Sequence, residues 1–105
     1  MRLQLAIFLC AVLGSILFNE GSQISQHRPK DGFVPDQETA VKIAEAILTP
    51  IYGASQVQAE KPFVASLKRE VWTVTGHLPE GADGGVAEVR ISKLTGEILS
   101  VSHGK

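Results

Sequence analysis

Asp36-Gln37-Glu38-Thr39-Ala40-Val41-Lys42-Ile43-Ala44-Glu45-Ala46-Ile47-Leu48-Thr49-Pro50-Ile51-Tyr52-Gly53 carries the clearest periodic pattern in the chain. Ala40, Val41, Ala44, Ile47, Leu48 and Ile51 recur at three- and four-residue spacing, which predicts a helix with one broad apolar stripe. Lys42, Glu45 and Thr49 turn away from that stripe. Asp36 is a good N-cap, Glu38 suits the first turn, and Gly53 is a terminator. Pro50 lacks a backbone donor and is expected to kink or end the helix near Leu48. Glu38 and Glu45 argue against a membrane-surface helix, whose polar face would be basic. An apolar stripe of this width has to cover something.

What it covers follows in the sequence, where the period switches to two. Phe63-Val64-Ala65-Ser66-Leu67-Lys68 alternates, and Arg69-Glu70 can turn the chain. Val71-Trp72-Thr73-Val74-Thr75-Gly76-His77 is rich in β-branched residues, and Leu78 to Gly85 reads as a loop. Val86-Ala87-Glu88-Val89-Arg90-Ile91-Ser92 alternates again. Lys93-Leu94-Thr95-Gly96 supplies a hairpin turn with a glycine free to take positive φ. Glu97-Ile98-Leu99-Ser100-Val101-Ser102 is the fourth strand. The expected fold class is α+β: one amphipathic helix on a four-stranded antiparallel meander, in two layers.

Alternation also assigns the faces. Phe63, Ala65, Leu67, Trp72, Val74, Ala87, Val89, Ile91, Leu99 and Val101 are expected to meet the helix. Ser66, Lys68, Thr73, Thr75, His77, Glu88, Arg90, Ser100 and Ser102 are expected on the other face. One helix cannot cover both faces, and an antiparallel sheet tolerates one in water.

The other end of the chain differs in composition. Of 46 hydrophobic residues, 14 lie in residues 1–22, leaving 32 in the other 83 positions, about 39%. Arg2 precedes 16 uncharged residues, Leu3 to Phe18, and a polar exit at Asn19-Glu20-Gly21-Ser22. That pattern describes a secretory signal; no small-x-small triplet follows Phe18, so an uncleaved membrane anchor through residues 3–18 is the alternative. Either way the folded part is expected to be exported, to the periplasm or the outer face of the inner membrane. Residues 23–35 read as a polar tether and 36–105 as a single domain, too short for two cores.

Chemistry is sparse. Net charge is −1 for the whole chain, which gives no electrostatic reason to expect nucleic acid. The only cysteine, Cys10, lies in the leader, so the domain has no disulfide and no thiolate ligand. His27, His77 and His103 are 50 and 26 residues apart, without metal-site spacing. Ser102 and His103 are adjacent on a strand and point to opposite faces, and there is no GxSxG elbow. Gly81-Ala82-Asp83-Gly84-Gly85 lacks the lysine and helix of a phosphate loop. No enzyme activity, metal or cofactor is expected.

A family resemblance then emerges. Its parts are Pro35-Asp36-Gln37-Glu38-Thr39-Ala40, Ala44-Glu45-Ala46, Pro50-Ile51-Tyr52-Gly53 and Lys61-Pro62-Phe63. Trp72-Thr73-Val74-Thr75-Gly76-His77-Leu78-Pro79, Gly84-Gly85, Ile91-Ser92-Lys93 and Val101-Ser102-His103-Gly104-Lys105 continue it. In order and spacing these resemble the bacterial immunity proteins with a nuclear-transport-factor-two-like fold, found in polymorphic toxin systems. The resemblance implies a cystatin-like α+β cone and a partner, one cognate toxin, neutralised by occlusion. The larger cone fold has more helix and a ligand pocket; the shortness of this chain favours protein binding. Tight interfaces rest on a few anchors inside a polar rim. On that basis Glu88 and Arg90, flanked by Thr73, Thr75 and His77, are the first candidates for partner binding. Asp83 in its loop and His103 and Lys105 in the tail are the second. The rival reading is an exported peptidase-modulating or envelope-binding domain, because Trp72-Thr73-Val74 and Ile91 to Glu97 look like peptidase-propeptide (PepSY) repeats.

Overall fold

Asp36 begins the first helix as its side chain requires. Its carboxylate accepts the Thr39 backbone N–H at 2.8 Å and the Thr39 hydroxyl at 2.7 Å. Those two bonds, hydroxyl first, hold the Asp36 carboxyl below its ordinary range. From there the computed structural model, which describes residues 26–104, runs through helix α1 (Gln37–Tyr52) into the short helix α2 (Ala54–Ala59). Helix α1 continues two residues past Pro50 instead of breaking at Leu48. Pro50 sits in the last turn on the exposed side, and Gly53 closes that turn by donating to Thr49 O at 2.8 Å. Gly53, at φ 91°, ends α1 and also starts α2, a helix the sequence pattern does not announce.

The four strands are β1 (Val64–Lys68), β2 (Val71–Thr75), β3 (Ala87–Ser92) and β4 (Ile98–His103). They form one antiparallel meander in the order β1-β2-β3-β4, with α1 on one face. The α+β reading is therefore what the chain adopts. Lys68 pairs with Val71, so Arg69 and Glu70 alone make the turn, at φ 51° and 62°. Both central residues at positive φ match the twist of the flanking strands.

Ala40, Ala44 and Leu48 of α1 are fully buried against Trp72, Val74, Ala87, Val89 and Ile91 of the sheet, with Phe63 and Ala65 at the edge. Three residues expected inside are not. Ile51 is exposed because the helix ends there, and Tyr52 packs on the core instead. Leu67 lies on the edge strand beside the hairpin tip and stays exposed. Leu99 is displaced by a β-bulge: Arg90 pairs with Ser100, yet Ile91 pairs with Ile98. One extra residue reverses the facing of everything before it, so Ile98 rather than Leu99 joins Val101 against the core.

The chain enters this core before Asp36. Val34 is fully buried, its N–H donates to Lys93 O at 3.0 Å, and its C=O accepts the Trp72 indole N–H at 2.8 Å. Phe33 N–H likewise donates to Leu94 O. Gly32, at φ 88°, passes so close to Lys93 that a Cβ would overlap its carbonyl oxygen. The expected leader, residues 1–22, and Lys105 lie outside the described residues. Among the described residues no helix is long and apolar enough to cross a membrane.

Candidate functional site

The strand register builds the uncovered face in rows. One row runs Ser66, Thr73, Arg90, Ser100; the next runs Val64, Thr75, Glu88, Ser102. A third, at the hairpin end, holds Lys68, Val71 and Ser92. Thr73, Thr75, Glu88 and Arg90 therefore occupy adjacent positions on the two inner strands. Arg90 is exposed, while the threonines and Glu88 are half-buried. Neither Glu88 nor Arg90 has an ion-pair partner within 4.0 Å among the described residues. Their charges face solvent and are not spent on one another.

The other candidates lie apart. His77 follows the end of β2, where its N–H donates to Glu60 O at 2.6 Å. Asp83 sits exposed in the loop between β2 and β3. His103 pairs with Ala87, which puts it on the helix side of the sheet rather than the open side. Lys105 lies outside the described residues.

His103 belongs to a second polar cluster that sequence reasoning missed. Glu60, just after α2, is the only buried charged residue among those described, at 2% exposure. Its Oε1 accepts the Ala87 N–H at 2.7 Å. Its Oε2 accepts Gln56 Nε2 at 2.8 Å and faces His103 Nε2 at 3.3 Å. The Tyr52 ring lies against the His103 ring, with centroids 5.2 Å apart. Burial pushes the Glu60 carboxyl up, but the bonds from Ala87, Gln56 and His103, with the charge of His103, outweigh it and leave the group below its ordinary value. A carboxylate whose donors are all structural is a latch: it ties α2 to the first residue of β3. Gly76 makes room for it, since a Cβ there would sit 2.6 Å from Glu60 Oε1. No local pattern marks Glu60, because Ala87 and His103 are 27 and 43 residues away.

Among the described residues no three His, Cys, Asp or Glu side chains are grouped to hold a metal ion. The described residues thus form a small two-layer domain with a latch on the helix side and, among those residues, an uncovered polar face on the other. Residues 39–105 match the family of NTF2 fold immunity proteins, and the chain belongs to it. Over 73 residues the chain is 32% identical to the uncharacterized protein YbbC of Escherichia coli (strain K12), a match taking in 69% of this chain. The same match spans 60% of that relative's length. No solved structure matches the chain.

Proposed function

We propose that the chain neutralises one cognate toxin by laying its uncovered sheet face over the toxin, outside the cytoplasm. The observation that carries this reading is the one-sided cover. Helix α1 shields only the face bearing Trp72, Val74, Val89 and Ile91, and no described element covers the Thr73–Arg90 and Thr75–Glu88 rows. A rigid four-stranded sheet with its polar face free suits occlusion, because little has to be ordered on binding. The latch at Glu60 fits the same reading, since its carboxylate is engaged by the fold itself. The rival propeptide-type motifs fall within β2 and at the end of β3 with its following turn, and the family match lends them no support.

Export follows from the leader: an inhibitor is useful where its toxin acts, which points to a toxin that attacks or crosses the envelope. The test is to express the chain with the protein encoded beside it and follow growth and co-purification. Rescue by the full chain and failure by a version lacking residues 1–22 is the expected result. Equal protection by the leaderless version overturns export, and neither rescue nor co-purification overturns toxin binding.

A further inference from the structure

We propose that the corner formed by Lys68, Arg69 and Arg90 recognises an acidic segment of the toxin, a short stretch of chain carrying at least two carboxylates. This rests on the toxin-binding reading above and specifies the chemistry of the partner.

The first support is how the protein distributes its charges. On the helix side the lysines are matched: Lys42 pairs with Glu38 at 3.1 Å and Lys61 with Glu45 at 3.8 Å. Lys93 donates to the backbone carbonyl of Asp31. At the hairpin end of the open face the pattern reverses. Among the described residues, Lys68, Arg69 and Arg90 have no carboxylate within 4.0 Å, although Glu70 follows Arg69 and Glu88 stands one row from Arg90.

The second support is shape. The three cations line one concavity of about 390 Å³, with Val71 and Thr73 completing its lining. Register explains the convergence. Lys68 is opposed to Val71 and Arg90 to Thr73, so the two cations flank β2 from opposite sides and Arg69 adds a third at the turn. The larger groove between α1 and β1 also carries Glu38, Lys42 and Glu45, but each is already paired.

Unmatched cations around a hollow attract anions. The guanidinium of Arg90 can take a carboxylate through two parallel N–H bonds, and Lys68 acts as a point charge beside it. A polynucleotide is disfavoured, because it demands a broad basic excess and this chain has a net charge of −1. A few carboxylates on a folded protein match the three cations and the half-buried Val71 between them.

The experiment is titration calorimetry of the full chain against the protein encoded by the adjacent reading frame. Variants are Arg90→Glu, Arg90→Gln, the pair Lys68→Glu with Arg69→Glu, and Lys42→Glu on the matched side. Arg90→Glu and the double reversal are expected to weaken binding about thirtyfold or more, and Arg90→Gln by less. Lys42→Glu is expected to leave affinity unchanged. Raising NaCl from about 50 to about 500 mM is expected to weaken the wild type but barely affect Arg90→Glu. The conservative Arg90→Gln keeps the test valid if a reversal fails to fold. If the wild type binds and every corner variant binds equally well, the corner is wrong and the toxin reading stands. If the wild type neither binds nor protects, the toxin reading itself falls and takes this inference with it. If the wild type instead shifts a single-stranded oligonucleotide at physiological salt and the corner variants do not, the ligand is nucleic acid and the acidic segment is excluded.

Discussion

Glu60 Oε1 accepts the backbone N–H of Ala87 at 2.7 Å and so fastens the end of α2 to the first residue of β3. The carboxylate is 3% exposed and Ala87 is 2% exposed, so no water replaces either partner. Glu60→Ala strands a buried N–H and is expected to destabilise the fold by about 2–3 kcal/mol. Glu60→Gln keeps an oxygen for Ala87 and is expected to lose less. Urea denaturation checks both: the midpoint falls in that order while the slope is unchanged.

The same group sets a pH dependence. Its folded pKa lies below the ordinary glutamate value of 4.5, so the unfolded chain takes up the proton first. The stabilisation is present in full above that value and is lost as pH falls through it and down through the depressed folded value. The wild type is expected to lose stability below about pH 4.5, and Glu60→Gln to show a shallower loss over the same window. Thermal melts of both proteins across acid pH give the comparison. Parallel curves would remove Glu60 as the titrating group.

Much of this fold is legible because the deciding signals are local. The Asp36 cap, the α1 stripe and the positive φ of Gly96, at 78°, depend on neighbours within a few residues. The open-face rows follow from alternation alone once β1, β2 and β3 are paired. What escapes is set by distant partners. Phe33 and Val34 are a two-residue apolar step in a polar stretch, with no period to mark either, and the Val34 backbone is held by the Trp72 indole and the Lys93 carbonyl. The bulge that exchanges Ile98 for Leu99 arises from fitting the Ser92–Glu97 turn to a register fixed further along the strand. His103 stands in a tail grouped with the partner-binding candidates, yet its pairing with Ala87 turns it to the helix side.

Arg69 and Glu70 offer a separation of stability from binding. Both occupy positive φ without being glycine or asparagine, which costs about 1 kcal/mol each. Replacing them with Arg69→Asn and Glu70→Gly is expected to stabilise the domain by about 1 kcal/mol, or ~4–8 °C in Tm. The same change removes one cation from the Lys68–Arg90 corner and is expected to weaken toxin binding. Higher Tm with lower affinity in one protein is a result that mere damage to the fold cannot give. Calorimetric melting and titration on the same preparation check it.

Whether the open sheet face meets the toxin can be decided by adding bulk to each side of the molecule in turn. Thr75 ends the inner strand β2 on the uncovered face, one row from Thr73 and Arg90, and Ala46 is exposed on the solvent side of α1. Titration of the toxin against folded Thr75→Arg and Ala46→Arg is the measurement. Thr75→Arg is expected to lose at least about a hundredfold in affinity while Ala46→Arg binds as the wild type does. Unchanged binding by Thr75→Arg together with loss in Ala46→Arg would contradict it, and would place the toxin on the helix side.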